Sequence, residues 1–265
     1  MAIVSPRPDA IGLITGASSG IGLEVARQLA ADGHDLVVVA RREPLLRQLA
    51  SELRTAHGRR VEAIACDVSD PAERERLALR VAGLGVEVDV LVLCAGFGMG
   101  GPFIDQDPGR VRLMMRTNVE STVALAREFT PAMAARGRGS VLIVSSMAGN
   151  QPMPNFAVYA ATKAAVTSFG ESLHEELRGH GVTVTALCPG SVSTDFAAIA
   201  EMTHTEHRLP GALVASAPDT ARAGLAALAR GRRRVVPGWG PRLLHFTGGH
   251  APRSLWLRAC RRLMA

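Results

Sequence analysis

The sequence predicts an α/β fold: one doubly wound domain in which a seven-stranded parallel sheet is flanked by helices. Three observations predict it. Short runs rich in valine and isoleucine recur along the chain and are apolar at almost every position, the pattern of strands covered on both faces. Longer segments with helical periodicity alternate with them, which implies right-handed crossovers between parallel strands. A glycine-rich turn follows the first strand run and opens the first helical pattern, and open α/β sheets bind their ligands at such strand ends.

The strand candidates in order are AIGLIT (10–15), DLVVVA (35–40), VEAIAC (61–66), DVLVLC (89–94), SVLIVS (140–145), VTVTAL (182–187) and RVVP (234–237). Helical patterns lie between them near 20–32, 44–57, 71–83, 109–136, 157–179 and 218–230. No linker-like run, internal repeat or low-complexity segment interrupts the series. Residues 1–240 therefore read as one domain and 241–265 as a basic amphipathic extension. The 265 residues, 47% hydrophobic, supply enough apolar surface for a large core. The start, MAIVSPRPDAIG, lacks the apolar stretch of a signal peptide, and no uncharged run reaches the roughly 18 residues of a membrane span. Cys66, Cys94, Cys188 and Cys260 form no CxxC pair, which fits a reducing cytoplasm and gives no zinc pattern.

The formal net charge of +6 is unevenly distributed. From Thr220 to Ala265 there are ten arginines and no acid, so the first 219 residues carry 20 basic and 24 acidic groups. The arginine-rich stretch is either a solvated or packed face, or a surface for an anionic partner such as an acidic carrier protein, a coenzyme A phosphate or a membrane. Few aromatics interleave with the arginines, so nucleic acid is not expected.

The turn TGASSGIG (15–22) spaces Gly16, Gly20 and Gly22 as G-x-x-x-G-x-G. Its backbone N–H groups and the helix N-terminus beyond suit a pyrophosphate. At the tip of the second strand run an acid would bind the ribose hydroxyls of NAD. This chain has Ala40, Arg41 and Arg42 there instead. Two guanidiniums suit a ribose 2′-phosphate, with the Ser18 hydroxyl able to add to them, so NADP(H) is the expected dinucleotide.

Tyr159 and Lys163 are the only tyrosine and the only lysine of the chain, and they stand four apart in the alanine-rich helical stretch AVYAATKAAV. At that spacing they share a helix face, where an ammonium favours the phenolate and is expected to lower the tyrosine pKa. Ser146 closes a strand run thirteen residues earlier, which points its hydroxyl into the crevice. Asn118 lies inside an apolar-periodic helix, where asparagine has low propensity.

Together TGASSGIG, CDV (66–68), CAG (94–96), Asn118, Ser146, YAATK (159–163) and PGSVST (189–194) resemble the classical short-chain dehydrogenase/reductase family, with its Rossmann-type fold, over roughly residues 8 to 237. The resemblance implies roles. Tyr159 would be the acid/base and Ser146 would bind the substrate oxygen. Lys163 would hold the nicotinamide ribose and lower the Tyr159 pKa, and Asn118 would support a water relaying protons to Lys163. Gly16, Ser18, Ser19, Gly20, Ile21, Gly22, Arg41 and Arg42 would bind the adenosine and diphosphate side of the cofactor. Asp67 and Val68 would flank adenine, and Cys94, Ala95 and Gly96 would line the ribose and diphosphate. Pro189, Gly190, Val192 and Thr194 would face the nicotinamide. No metal is required. Cys94 departs from the asparagine usual in the family and cannot make the same amide hydrogen bonds, which puts support of the adjacent strand in doubt.

The resemblance also implies an NADP(H)-dependent oxidoreductase of the EC 1.1.1.- class, forming a homodimer or homotetramer. Phe97, Met99, Met147, Met153 and Phe156 follow strand ends and are expected to wall an apolar substrate pocket. The moderately apolar segment after PGSVST is expected to form a lid, and HTEH (204–207) reads as a loop rather than a metal site. These features favour a hydrophobic ketone or 3-oxoacyl substrate, carried as a free carbonyl compound or an acyl thioester. The alternative is an NADP-binding sensor or scaffold without turnover. In the tail, Leu255, Trp256, Ala259, Cys260, Leu263 and Met264 can form one helical face opposite Arg258, Arg261 and Arg262. That face can pack on a sister subunit, fold back on its own domain or lie on an anionic membrane.

Overall fold

The computed structural model describes residues 3–193, 214–242 and 253–263. Its elements alternate as the apolar pattern requires: β1 (Ala10–Thr15), α1 (Gly20–Ala31), β2 (Asp35–Ala40), α2 (Glu43–His57), β3 (Val61–Ala65), α3 (Pro71–Ala82) and β4 (Glu87–Leu93) form the first half. The second half runs α4 (Pro108–Met115), α5 (Ser121–Arg136), β5 (Gly139–Val144), α6 (Ala157–Arg178), β6 (Val182–Leu187), β7 (Ser191–Ser193), β8 (Val214–Ser216), α7 (Ala217–Ala229), β9 (Arg234–Val235) and α8 (Arg253–Leu263). Local chemistry sets several boundaries. The Asp70 side chain accepts from the backbone N–H groups of Ala72 and Glu73 and Pro71 opens α3, while Asp107 caps α4 through the Arg110 N–H.

Seven strands form one parallel sheet in the order β3-β2-β1-β4-β5-β6-β9. The chain builds outward from β1 to β3, then returns to β4 on the other side of β1. The crevice at the C-terminal ends of β1 and β4 is thus a topological switch point. All residues of β1 and β5 are buried, and the two sheet faces carry separate cores. One packs Val25, Leu29, Leu46, Leu53, Leu225 and Leu228 from α1, α2 and α7. The other packs Leu77, Val81, Leu125, Met133 and Val166 from α3, α5 and α6. Two covered faces explain why the strands read as continuous apolar runs.

Three features differ from the sequence reading. The last sheet strand covers only Arg234–Val235 rather than 234–237, because the register with β6 ends at Leu187. The helix expected over 109–136 is split by a π-helical turn, Arg116–Glu120, with Asn118 inside it. There the Ser121 and Thr122 hydroxyls donate to the carbonyls of Thr117 and Asn118. β7 and β8 make a separate parallel pair that no periodicity announced, because each is three residues long. Among the described residues no helix is long and apolar enough to cross a membrane.

Candidate active site

The glycine turn is held against the end of β4 at close range. A β-carbon on Gly16, whose φ is +71°, would lie 2.9 Å from the Ala95 nitrogen. One on Gly22 would lie 2.4 Å from the Gly16 carbonyl oxygen. Neither position has room for a side chain, so the turn, the start of α1 and the Cys94–Ala95 backbone form one tight cradle. Thr15 ties it together. Its hydroxyl accepts from the Cys94 and Ala95 N–H groups, at 3.1 and 3.2 Å, and donates to the Val92 carbonyl at 3.2 Å. The sequence reading missed Thr15, and it answers the doubt raised by Cys94: the strand is supported by a hydroxyl from β1. Thr15→Val should leave two N–H groups without this partner and destabilise the fold by about 1–3 kcal/mol in chemical unfolding.

At the tip of β2, Arg42 folds back over the turn and donates to Ser18 Oγ at 3.1 Å and Ser19 Oγ at 2.8 Å. Arg41 and Arg42 are exposed. The structure therefore brings together the guanidinium and hydroxyls expected around a 2′-phosphate, with no carboxylate at the β2 tip. Asp67 Oδ1 accepts from both the backbone N–H and the hydroxyl of Ser69. The Val68 side chain is only 5% exposed and packs in the core, and its carbonyl accepts from Arg74. Any Val68 contact with adenine would therefore run along its backbone edge.

Ser146, Tyr159, Lys163 and Asn118 converge from three elements. Ser146 ends the β5 run and caps the 3₁₀ turn Met147–Asn150, its hydroxyl accepting from the Ala148 N–H at 3.1 Å. The Tyr159 hydroxyl, on α6, hydrogen-bonds Ser146. Lys163 Nζ donates to the Val144 carbonyl at 3.0 Å and sits 5.9 Å from the centre of the Tyr159 ring. Asn118 is buried in the π turn. Its amide donates to the Phe97 carbonyl at 2.9 Å and to Thr162 Oγ1 at 3.0 Å, and its Oδ1 accepts from the Phe97 N–H at 3.0 Å. With both amide protons committed, Asn118 clamps the post-β4 loop to α6, a job the resemblance alone did not assign to it.

A family model for short chain dehydrogenases matches residues 10–204. The chain belongs to this family. As a short-chain dehydrogenase/reductase it falls among the oxidoreductases of carbonyl and alcohol groups, which use NAD(P)(H). It is 35% identical over 201 residues to a short chain dehydrogenase of Pseudocercospora fijiensis, covering 75% of this chain and 64% of that protein. It is 32% identical over 181 residues to the ketoacyl reductase HetN of Nostoc sp., covering 68% of this chain and 63% of that protein. The chain thus spans just under two thirds of the length of both. Among solved structures, a short-chain dehydrogenase from Sphingobium yanoikuyae in complex with NADPH superposes with a TM-score of 0.80 at 30% identity, covering 90% of this chain and 92% of that one.

Electrostatics in this short-chain dehydrogenase/reductase correct one expectation. The Tyr159 pKa is not lowered: burial pushes it up to about 12, with the Ser146 hydrogen bond pulling in the opposite direction. Burial likewise brings Lys163 down to about 8, against the electrostatic pull of Cys94 and Cys188. The physical reason is desolvation, which penalises the phenolate and the ammonium alike. Burial also raises the Cys94 thiol to about 11, so it is not a thiolate near neutral pH.

Buried hydroxyls that the sequence reading overlooked fix α6. The Ser145 and Thr167 hydroxyls lie 2.9 and 2.8 Å from the Lys163 carbonyl and 2.6 Å from each other, so one donates to the carbonyl and the other to its neighbour. Thr162 Oγ1 donates to the Tyr159 carbonyl at 2.7 Å. A signal existed: threonines at 162 and 167 on the buried side of an alanine-rich helix. On the opposite side of the crevice Pro189 accepts from the Met147 N–H at 2.8 Å, Gly190 lies against Met147, and Val192 is buried in β7. Thr194, the lid segment 195–213, HTEH and Met264 lie outside the described residues. Of the apolar wall, Phe97, Met147 and Met153 are half-buried, whereas Met99 and Phe156 are 4% and 5% exposed. These last two back the wall instead of forming its surface.

Proposed function

We propose that the protein is an NADP(H)-dependent reductase of hydrophobic ketones or 3-oxoacyl compounds, with Tyr159 as the proton donor. The observation that carries this reading is the Tyr159–Ser146 hydrogen bond, with Lys163 Nζ 5.9 Å from the centre of the ring. NADPH, held by the glycine cradle and Arg42, would supply the hydride for the carbonyl carbon. Ser146, held by its turn, hydrogen-bonds the carbonyl oxygen. Tyr159, neutral near pH 7, donates its proton to that oxygen as negative charge develops there. Lys163, still largely protonated near pH 7, stabilises the phenolate left behind. A Tyr159 that is neutral near pH 7 suits the acid role in carbonyl reduction. Half-buried Phe97, Met147 and Met153 support an apolar substrate.

Arg42, Ser18 and Ser19 support the NADP(H) preference. Arg42→Ala should weaken NADPH binding about 10- to 100-fold and leave NADH binding within threefold, measured by fluorescence titration, since a charge-assisted contact is worth roughly 1.5–3 kcal/mol. Equal losses for both cofactors would sink the assignment. The function itself is tested by following NADPH oxidation against ketones and 3-oxoacyl thioesters. Tight NADPH binding with no turnover on any of them would favour a sensor. The exposed small residues Ala157, Ala161, Ala164 and Ala165 on α6 support a homodimer or homotetramer through the α5–α6 face, which light scattering would test.

A further inference from the structure

The last part of the chain meets the crevice at two points. After β9 the backbone turns at Gly238, with Arg242 Nε donating to the Val236 carbonyl at 2.9 Å. This turn sets Pro241 on Gly190: a β-carbon there would lie 3.0 Å from Pro241 Cγ and 3.4 Å from Met147 Sδ. Farther on, Trp256 of α8 donates its indole N–H to the Pro152 carbonyl at 3.2 Å. One turn beyond, Cys260 is 4% exposed. Both contacts are made within the chain's own domain. Pro152 lies on the loop after Ser146, and Gly190 is bordered by Met147 of that same loop. Met147 and Pro152 belong to the stretch that leaves Ser146 and returns at Tyr159, so it borders the space in front of the two reactive hydroxyls.

Trp256 is anchored there by its polar edge while the ring stays only half-buried. An indole fixed by its N–H offers a rigid apolar face at low entropic cost, and the neighbouring half-buried side chain along the loop is Met153. We infer that Pro241 and Trp256 form a wall of the substrate entrance and that Trp256 is a specificity-determining residue, selecting the length of the apolar portion of the substrate. The inference rests on the carbonyl-reductase reading above. The role given to Trp256 is on the far end of the substrate, away from the reacting atoms.

The test uses the full chain and a series of methyl ketones from 2-butanone to 2-dodecanone. Trp256→Ala should change kcat/KM for 2-dodecanone at least about tenfold relative to 2-butanone, with Trp256→Phe in between. NADPH affinity and kcat for 2-butanone should stay within twofold. A uniform change along the series, or none, overturns the inference. Trp239 and Trp256 are the only tryptophans, so a Trp239→Phe protein reports on Trp256 alone. Its emission should shift when 2-dodecanone is added to the NADP-bound protein but not with 2-butanone, and an unchanged spectrum with both overturns the inference even where Trp256→Ala fails to fold. Failure of the unaltered protein to reduce any ketone, with a shifted Trp256 spectrum, would instead remove the reductase reading and leave the wall in place.

Discussion

Tyr159→Phe is expected to lower kcat for carbonyl reduction by about 10³-fold or more, with NADPH affinity within threefold of the unaltered protein. The change deletes one oxygen at the point where the proton must move. General acid catalysis by a placed side chain contributes roughly 10²–10⁴-fold. No other tyrosine and no second lysine exist in the chain to substitute. The cost to the fold is small, because the lost hydrogen bond is the one to Ser146, worth about 0.5–1.5 kcal/mol. Stopped-flow reduction with a matched unfolding curve checks both halves. A variant that keeps more than a tenth of the rate removes Tyr159 as the acid.

Lys163→Met is expected to act on chemistry, binding and pH dependence together. Turnover should fall about 10²-fold and NADPH binding should weaken, since the variant loses the cation beside Tyr159. The stability effect has a definite sign. Lys163 is held at about 8 in the folded protein against an ordinary 10.5. Between those values the unfolded chain binds more protons, so this group makes stability rise with pH; below about 8 its burial penalty is present in full. The shift corresponds to about 3 kcal/mol, most of it recovered between pH 8 and 10. Burial pushes the thiols of Cys66, Cys94, Cys188 and Cys260, and the Tyr159 hydroxyl, upward. Those groups make stability fall with pH from about 9 upward. The difference between unaltered protein and variant isolates the lysine: it should rise by about 2–3 kcal/mol from pH 8 to 10 in urea unfolding. A flat difference would show that Lys163 is solvated in solution.

Much of the site was legible because its residues are spaced by the fold's own periods. Tyr159 and Lys163 sit four apart on one helix, and Ser146 ends a strand run. The three glycines occupy a turn between a strand and a helix that the apolar pattern had already placed. What could not be read were partners distant in sequence. Nothing near Cys94 says that Thr15, 79 residues away, accepts from its N–H. Nothing near Phe97 says that both of its backbone groups bond Asn118 across a π turn.

The sequence by itself determined the sheet, its two covered faces, the cradle and the candidate site side chains, because each depends on local periodicity and on which functional groups are present. Tertiary structure alone decided what surrounds those groups and where the Trp256 indole N–H is placed. The Tyr159 pKa follows from burial of the hydroxyl, which outweighs the opposing hydrogen bond with Ser146. The tail was equally open from sequence, since an amphipathic face can be covered by its own domain, a second subunit or a membrane. The indole N–H of Trp256 on the Pro152 carbonyl places it over the loop between Ser146 and Tyr159, a contact between residues 104 apart that no periodicity encodes.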